Sequence, residues 1–139
     1  MINVNTPLEL VNGMSKNTML DHLNIQVTEL GEDYVKGTMP VDNTTHQPMG
    51  LLHGGASCVL IESLGSIGSS LLVDLKKEAV VGIEINANHI RGMRSGIVTG
   101  TAKLKHGGRR THLWQVDLED EEGKLVCSGR LTVMVVPKS

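Results

Sequence analysis

The chain has 139 residues, 40% of them hydrophobic and 20% charged, with a formal net charge of −2. That length suits one domain over residues 1–139, large enough to bury a core without staples. The charge balance lacks the basic excess of a nucleic-acid binder, and with Tyr34 and Trp114 as the only aromatic residues there is no stacking platform for single strands, so the core must be aliphatic, with 7 Met as adaptable filler.

The opening stretch, MINVNTPLELVNGM, has neither a basic n-region nor a long apolar h-region, so it does not read as a secretory signal, and a cytoplasmic protein is expected. Thr6-Pro7-Leu8-Glu9 reads as a helix start, with Thr6 as N-cap, Pro7 as the first helical residue and Glu9 three residues on. Asn17 or Thr18 is placed to cap another short turn. Leu23 to Thr28 alternates with period two and predicts a strand. Gly31-Glu32-Asp33 is a turn, and Tyr34 to Met39 closes a hairpin. Pro40 to Gly50 is a polar loop.

Residues 53–73 are too long for one strand and show no alternation, which predicts a helix. It is rich in glycine and serine, although Gly costs about 1 kcal/mol against Ala inside a helix. Gly54, Gly55, Gly65 and Gly68 therefore imply something packed very closely against it, such as a sheet curled around it. The same small residues, with one His and one Glu, argue against a membrane span in residues 51–73. Four strands follow. Val81, Ile83, Ile85 and Ala87 share a face of the first, and Val98, Gly100, Ala102 and Leu104 a face of the second. His112, Trp114, Val116 and Leu118 share a face of the third, and Leu125, Cys127, Leu131, Val133 and Val135 a face of the fourth. Arg91 to Gly96, His106 to Arg110 and Glu121-Glu122-Gly123 are the turns. The order predicts an α+β architecture, one long helix covered by a mostly antiparallel sheet that ends in a four-strand meander. Cys58 and Cys127 sit in apolar patterns and are expected as two buried thiols, with a disulfide as the alternative.

Between Asp42 and Asp74 the only charged residue is Glu62. Among Cys58, Val59, Leu60, Ile61 and Leu64 a charge is costly unless it is paired or functional, and a desolvated carboxylate suits a general base. Its bland alternative is a solvated or ion-paired Glu. His53-Gly54-Gly55 marks the helix entry, where free N–H groups can hold a developing oxyanion, or where a histidine simply caps a glycine-rich start. His53 and Glu62 are nine residues apart, roughly 13.5 Å along a helix and on opposite sides of it. They can meet only between two chains of a symmetric oligomer. Ser66 lies one turn beyond Glu62 and is placed to hold a water, and Gln47 in the preceding loop is placed to bind a substrate carbonyl. Arg91 and Arg94 in one turn, and Lys105, His106, Arg109 and Arg110 in another, would suit a phosphate-rich tail or be ordinary solvated turns.

Met49-Gly50-Leu51-Leu52-His53-Gly54-Gly55-Ala56 followed by Glu62-Ser63 resembles the hot-dog-fold acyl-CoA thioesterases with a helical glutamate. That subfamily includes 1,4-dihydroxy-2-naphthoyl-CoA hydrolase, one class of 4-hydroxybenzoyl-CoA thioesterase and the phenylacetate-pathway thioesterases. VVGIEINANHIRGMRSG (80–96) and HGGRRTHLWQVDLEDEEGKLV (106–126) match it too, so the likeness covers about residues 17–136. It implies a hot-dog fold, in which a curved antiparallel sheet wraps a long central helix, and dimers paired into homotetramers. It implies Glu62 as nucleophile or general base, assisted by Ser66, with Gln47, His53 and the Gly55 N–H supplied by the other subunit. Gly82, His89, Arg91, Gly92, His106, Gly108 and Arg110 would lie along the coenzyme A tail. Relatives commonly carry Pro-Leu where this chain has Leu104-Lys105, a change that bears on tail contacts and not on the chemistry.

The expected reaction is hydrolysis of an acyl-CoA thioester, with an aromatic or hydroxylated acyl group such as 1,4-dihydroxy-2-naphthoyl. No cofactor is expected, coenzyme A being part of the substrate. An acyl-thioester dehydratase or hydratase, or a non-catalytic acyl-CoA-binding domain, is the alternative. A Ser hydrolase lacks its G-x-S-x-G, and 6 His and 2 Cys are scattered without metal-ligand spacing.

Overall fold

The structure, a computed structural model, describes all 139 residues. Two short helices, α1 (Leu8–Gly13) and α2 (Met19–His22), lead into the hairpin β1 (Gln26–Leu30) and β2 (Tyr34–Pro40). The long helix α3 (Gly54–Ser70) follows, and then β3 (Glu78–His89), β4 (Ile97–Gly107), β5 (Thr111–Glu119) and β6 (Leu125–Pro137). The six strands form one antiparallel sheet in the order β1-β2-β4-β5-β6-β3, and α3 packs across it. This is the expected α+β layering.

The close packing inferred from the glycines of α3 is reciprocal. A methyl group at Gly68 would lie 2.5 Å from the Trp114 ring, and one at Gly65 would lie 2.6 Å from Leu131 Cδ2. In the other direction, Leu64 of α3 sits over Gly37 and Gly100, which are paired across β2 and β4. Side chains of each layer thus enter gaps that glycine leaves in the other. Leu60, Ile61, Leu64, Val98, Val116, Leu118 and Leu131 complete an aliphatic core around the fully buried Trp114. Its indole N–H donates to Ser69 Oγ at 2.8 Å, and His112 Nδ1 lies 3.0 Å from the same hydroxyl.

Several expectations change. The last four strands are not a meander in chain order. β4, β5 and β6 are, but β3 pairs with β6 and lies at the far edge, so the chain crosses the sheet between β3 and β4. A period of two reveals a strand's faces and not its neighbour. Within β3 the register shifts between Gly82 and Glu84. The shift puts Val80, Ile85 and Ala87 against the core and leaves Val81 and Ile83 exposed, at 45% and 50%. Leu125 is exposed, and Val126 takes the buried place beside Cys127. At α1 the N-cap is Pro7, not Thr6, whose hydroxyl donates to the Asn3 carbonyl instead. β1 starts at Gln26 because Asn24 adopts a left-handed conformation (φ 54°) after α2, yet Leu23, Ile25 and Val27 are all buried, as their alternation implied. Thr18 is the N-cap position of α2. Cys58 and Cys127 are free thiols, but only Cys127 is buried and Cys58 is half-buried; burial pushes Cys127 up to about 11.

Candidate active site at the entry and open face of α3

The helix entry is built by a chain reversal. The Leu52 N–H donates to the Met93 carbonyl and the His53 N–H to the Thr45 carbonyl, which fixes the loop before α3 against the segment after β3. His53 is the N-cap, in extended conformation, and its Nδ1 accepts the Gly55 N–H at 2.8 Å. The capping role foreseen for His53 is therefore present. With Nδ1 acting as acceptor, a neutral ring carries its proton on Nε2. The Gly55 N–H assigned to a substrate oxygen is held by the ring in this state.

Glu62 is exposed, contrary to the desolvated setting that its apolar sequence neighbours suggest. The reason is geometric. Buried residues Ser57, Leu60, Ile61, Leu64, Gly65, Gly68 and Ser69 turn one face of α3 to the sheet, with Ser63 also buried at its flank. Gly55, Val59, Glu62 and Ser66 follow one another at helical spacing on the opposite face, Gly55 and Glu62 exposed and Val59 and Ser66 half-buried. Glu62 leans toward the edge strand, its carboxylate against the backbone of Gly82. Apolar neighbours in sequence surround a helix on all sides and do not tell which side is covered.

The remaining residues fall into two groups. Gln47, His89, Arg91 and Gly92 line one cleft of about 280 Å³ with Gly54 and Ser57, beside the helix entry. The Gln47 side-chain oxygen accepts the Met49 N–H, and the Ile90 and Arg91 N–H groups both donate to the Val126 carbonyl. His106, at the end of β4, and Gly108 and Arg110, in the β4–β5 connection, lie at the other end of α3. There Gly108 joins Arg109, His112, Leu72 and Val73 around a cleft of about 400 Å³. One chain thus holds Arg91 and Arg110 apart, and does not present them as a single track. Gly82 joins neither group, because it faces Glu62.

Sequence reading missed a third feature, a cleft of about 360 Å³ where Met19, Leu23, Ala56 and Val59 adjoin His53 and Gly55. Met19 and Leu23 come from the N-terminal excursion, some thirty residues before the motif, and no local pattern ties them to it. His112, expected on one face of its strand with Trp114, Val116 and Leu118, is buried with them. Burial holds its imidazole below the usual histidine range, against a hydrogen bond to the Gly108 backbone. No helix is long and apolar enough to cross a membrane.

Comparison with known proteins supplies independent information. Residues 49–127 match the family model of the Thioesterase superfamily. The chain is 47% identical over 129 residues to the 1,4-dihydroxy-2-naphthoyl-CoA hydrolase of Escherichia coli, covering 93% of this chain and 94% of that one. It is 44% identical to the proofreading thioesterase EntH of Cronobacter turicensis, covering 93% of both. Among solved structures, a mutant thioesterase from Pseudomonas aeruginosa superposes with a TM-score of 0.95 at 47% identity over 99% of each chain. A Haemophilus influenzae thioesterase gives 0.92 at 44% identity, over 99% of this chain and 96% of that one.

Proposed function

Since the chain belongs to the Thioesterase superfamily, has the hot-dog fold and is an enzyme that hydrolyses thioesters, we propose that its substrates are acyl-CoA thioesters and that Glu62 carries the chemistry from a subunit interface. One observation carries this reading. Gly55 and Glu62 lie on the one face of α3 that the sheet leaves open, seven residues or roughly 10.5 Å apart. Two such helices running antiparallel about a two-fold axis bring each Gly55 to the other's Glu62, twice over. β3 supports the same partner, because its outer edge is unpaired along 12 residues and bears exposed Val81 and Ile83. An uncovered edge of that length is a template for a second strand. A homodimer is the smallest unit that completes the site, and a homotetramer pairs two of them.

In this reading the thioester carbonyl oxygen competes with His53 Nδ1 for the Gly55 N–H, and Gln47 steadies the acyl group. Donors placed where charge develops lower the barrier to a tetrahedral intermediate. Glu62 of the facing subunit attacks the carbonyl carbon and expels the thiolate, leaving an anhydride that water then hydrolyses to the free acid and Glu62, or it takes a proton from a water that Ser66 orients, whose oxygen attacks the carbonyl carbon. In either case the carbon–sulfur bond breaks, and the thiolate leaves as coenzyme A by taking up the proton that the water gives up. Arg91, His89 and Gly92 of one subunit, with His106, Gly108 and Arg110 of the other, would hold the phosphate-bearing tail. Their separation within one chain fits a tail shared between two. Met19, Leu23, Ala56 and Val59 offer an aliphatic pocket for the acyl group, which suits an aryl group such as 1,4-dihydroxy-2-naphthoyl. The reaction needs no cofactor, and the compartment we assign is the cytoplasm.

The test is thiol release from a panel of aryl- and alkyl-CoA thioesters, with Glu62→Ala beside the natural chain. General-base or nucleophilic loss predicts a drop of about 10² to 10⁴ in kcat. No thiol from any substrate, or full activity in Glu62→Ala, sinks the reading. Water addition or removal without thiol would mark a hydratase or dehydratase. Single-turnover hydrolysis in labelled water separates the two roles of Glu62, since label entering the carboxylate marks nucleophilic attack.

A further inference from the structure

Gly82 stands inside β3, where glycine weakens a strand. A glycine is required there for its backbone conformation or for space. Conformation does not require it: Gly50, Gly96 and Gly123 are the glycines at positive φ, and Gly82 is not among them. Space does. A Cβ at Gly82 would lie 2.6 Å from Glu62 Oε1, with Glu62 Cδ next at 3.4 Å and Leu131 Cδ1 at 3.5 Å. Only the carboxylate oxygen falls well inside ordinary contact distance. The register shift between Gly82 and Glu84 is what turns this bare position toward the helix while Val81 and Ile83 face outward. A bulge re-aims a strand in this way.

We propose that Gly82 is a positioning residue for the reaction: its missing side chain reserves the slot in which the Glu62 carboxylate rests, and the bulged backbone of β3 forms the wall of that slot. This rests on Glu62 being the reactive group. It differs from a place along the coenzyme A tail, which would make Gly82 a determinant of substrate affinity. The atom an added methyl would push is the end of an exposed, flexible side chain. The fold should therefore tolerate Gly82→Ala while the carboxylate moves by about the width of the methyl. A displacement on the order of 1 Å can cost about 10²-fold in rate.

The experiment is steady-state hydrolysis of benzoyl-CoA by the natural chain, Gly82→Ala, Glu62→Asp, the double variant and Glu62→Ala, with subunit mass and unfolding midpoint measured for each. The expected result is a kcat lowered by about 10²-fold in Gly82→Ala, with KM, mass and midpoint unchanged. In the Glu62→Asp background the same substitution should cost little, because the shorter acid withdraws its oxygen from the added methyl. An equal cost in both backgrounds, or a raised KM at constant kcat, overturns the proposal and leaves the role of Glu62 standing. Full activity in Glu62→Ala overturns both. Should Gly82→Ala alone fail to fold or assemble, recovery in the Glu62→Asp background upholds the clash, and failure in both overturns it.

Discussion

His53 joins two functions that the sequence could only offer as alternatives. It caps α3 through Nδ1, and the same hydrogen bond covers the N–H proposed for the substrate oxygen. His53→Ala should therefore lower both activity and stability, the latter by about 1 kcal/mol for a lost cap, read by urea denaturation beside thiol release. His112 gives a different kind of prediction. Burial depresses its pKa in the folded state, so the unfolded chain binds the extra proton more readily. Its contribution to stability is complete above the ordinary histidine value near 6.5 and declines as pH falls below it. The unfolding midpoint should drop between about pH 7 and pH 5, and His112→Gln should flatten that drop. At this scale the site was legible in part. Glu62 stood out as the only charge between Asp42 and Asp74, and His53-Gly54-Gly55 as a helix entry. The contact of Gly82 with Glu62 was not legible, because it depends on a bulge that no residue type announces.

At the scale of elements, α3 and the sheet share their small residues, and the magnitudes decide what a methyl does at each. Gly68→Ala gains about 1 kcal/mol of helix propensity, but the methyl would enter the ring of Trp114, which is fully buried and has nowhere to go. Overpacking costs of about 1–3 kcal/mol outweigh the gain, so the variant should be destabilised. Gly13→Ala, where nothing lies within 4 Å, should be neutral or slightly stabilised. Denaturant midpoints of the pair check this, and a stabilised Gly68→Ala would contradict the packing account. The strands could be read from alternation and the long helix from its length and want of alternation, because each is a local pattern. The neighbour of β3 could not, because pairing with β6 joins Glu78 to Pro137 across nearly sixty residues of chain, and nothing within β3 encodes that partner.

The whole molecule is where the proposed chemistry becomes testable without knowing the acyl group. If each site takes Glu62 from one subunit and His53 from the other, Glu62→Ala and His53→Ala chains should complement one another. After equal mixing and exchange, half the dimers are mixed and each has one intact site, so about a quarter of natural activity should return. No recovery despite demonstrated exchange would place both groups in one chain. Activity should also survive exhaustive chelation, as expected where no metal takes part. Trp114 makes these experiments readable. It is the only tryptophan and is fully buried within its own chain, with its indole nitrogen on Ser69 and His112 on the other side of the same hydroxyl. Its fluorescence should ignore the parting of subunits on dilution and shift only when the chain itself unfolds. A single emission trace, followed while activity is assayed, can thus tell an enzyme that has come apart from one that has lost its fold.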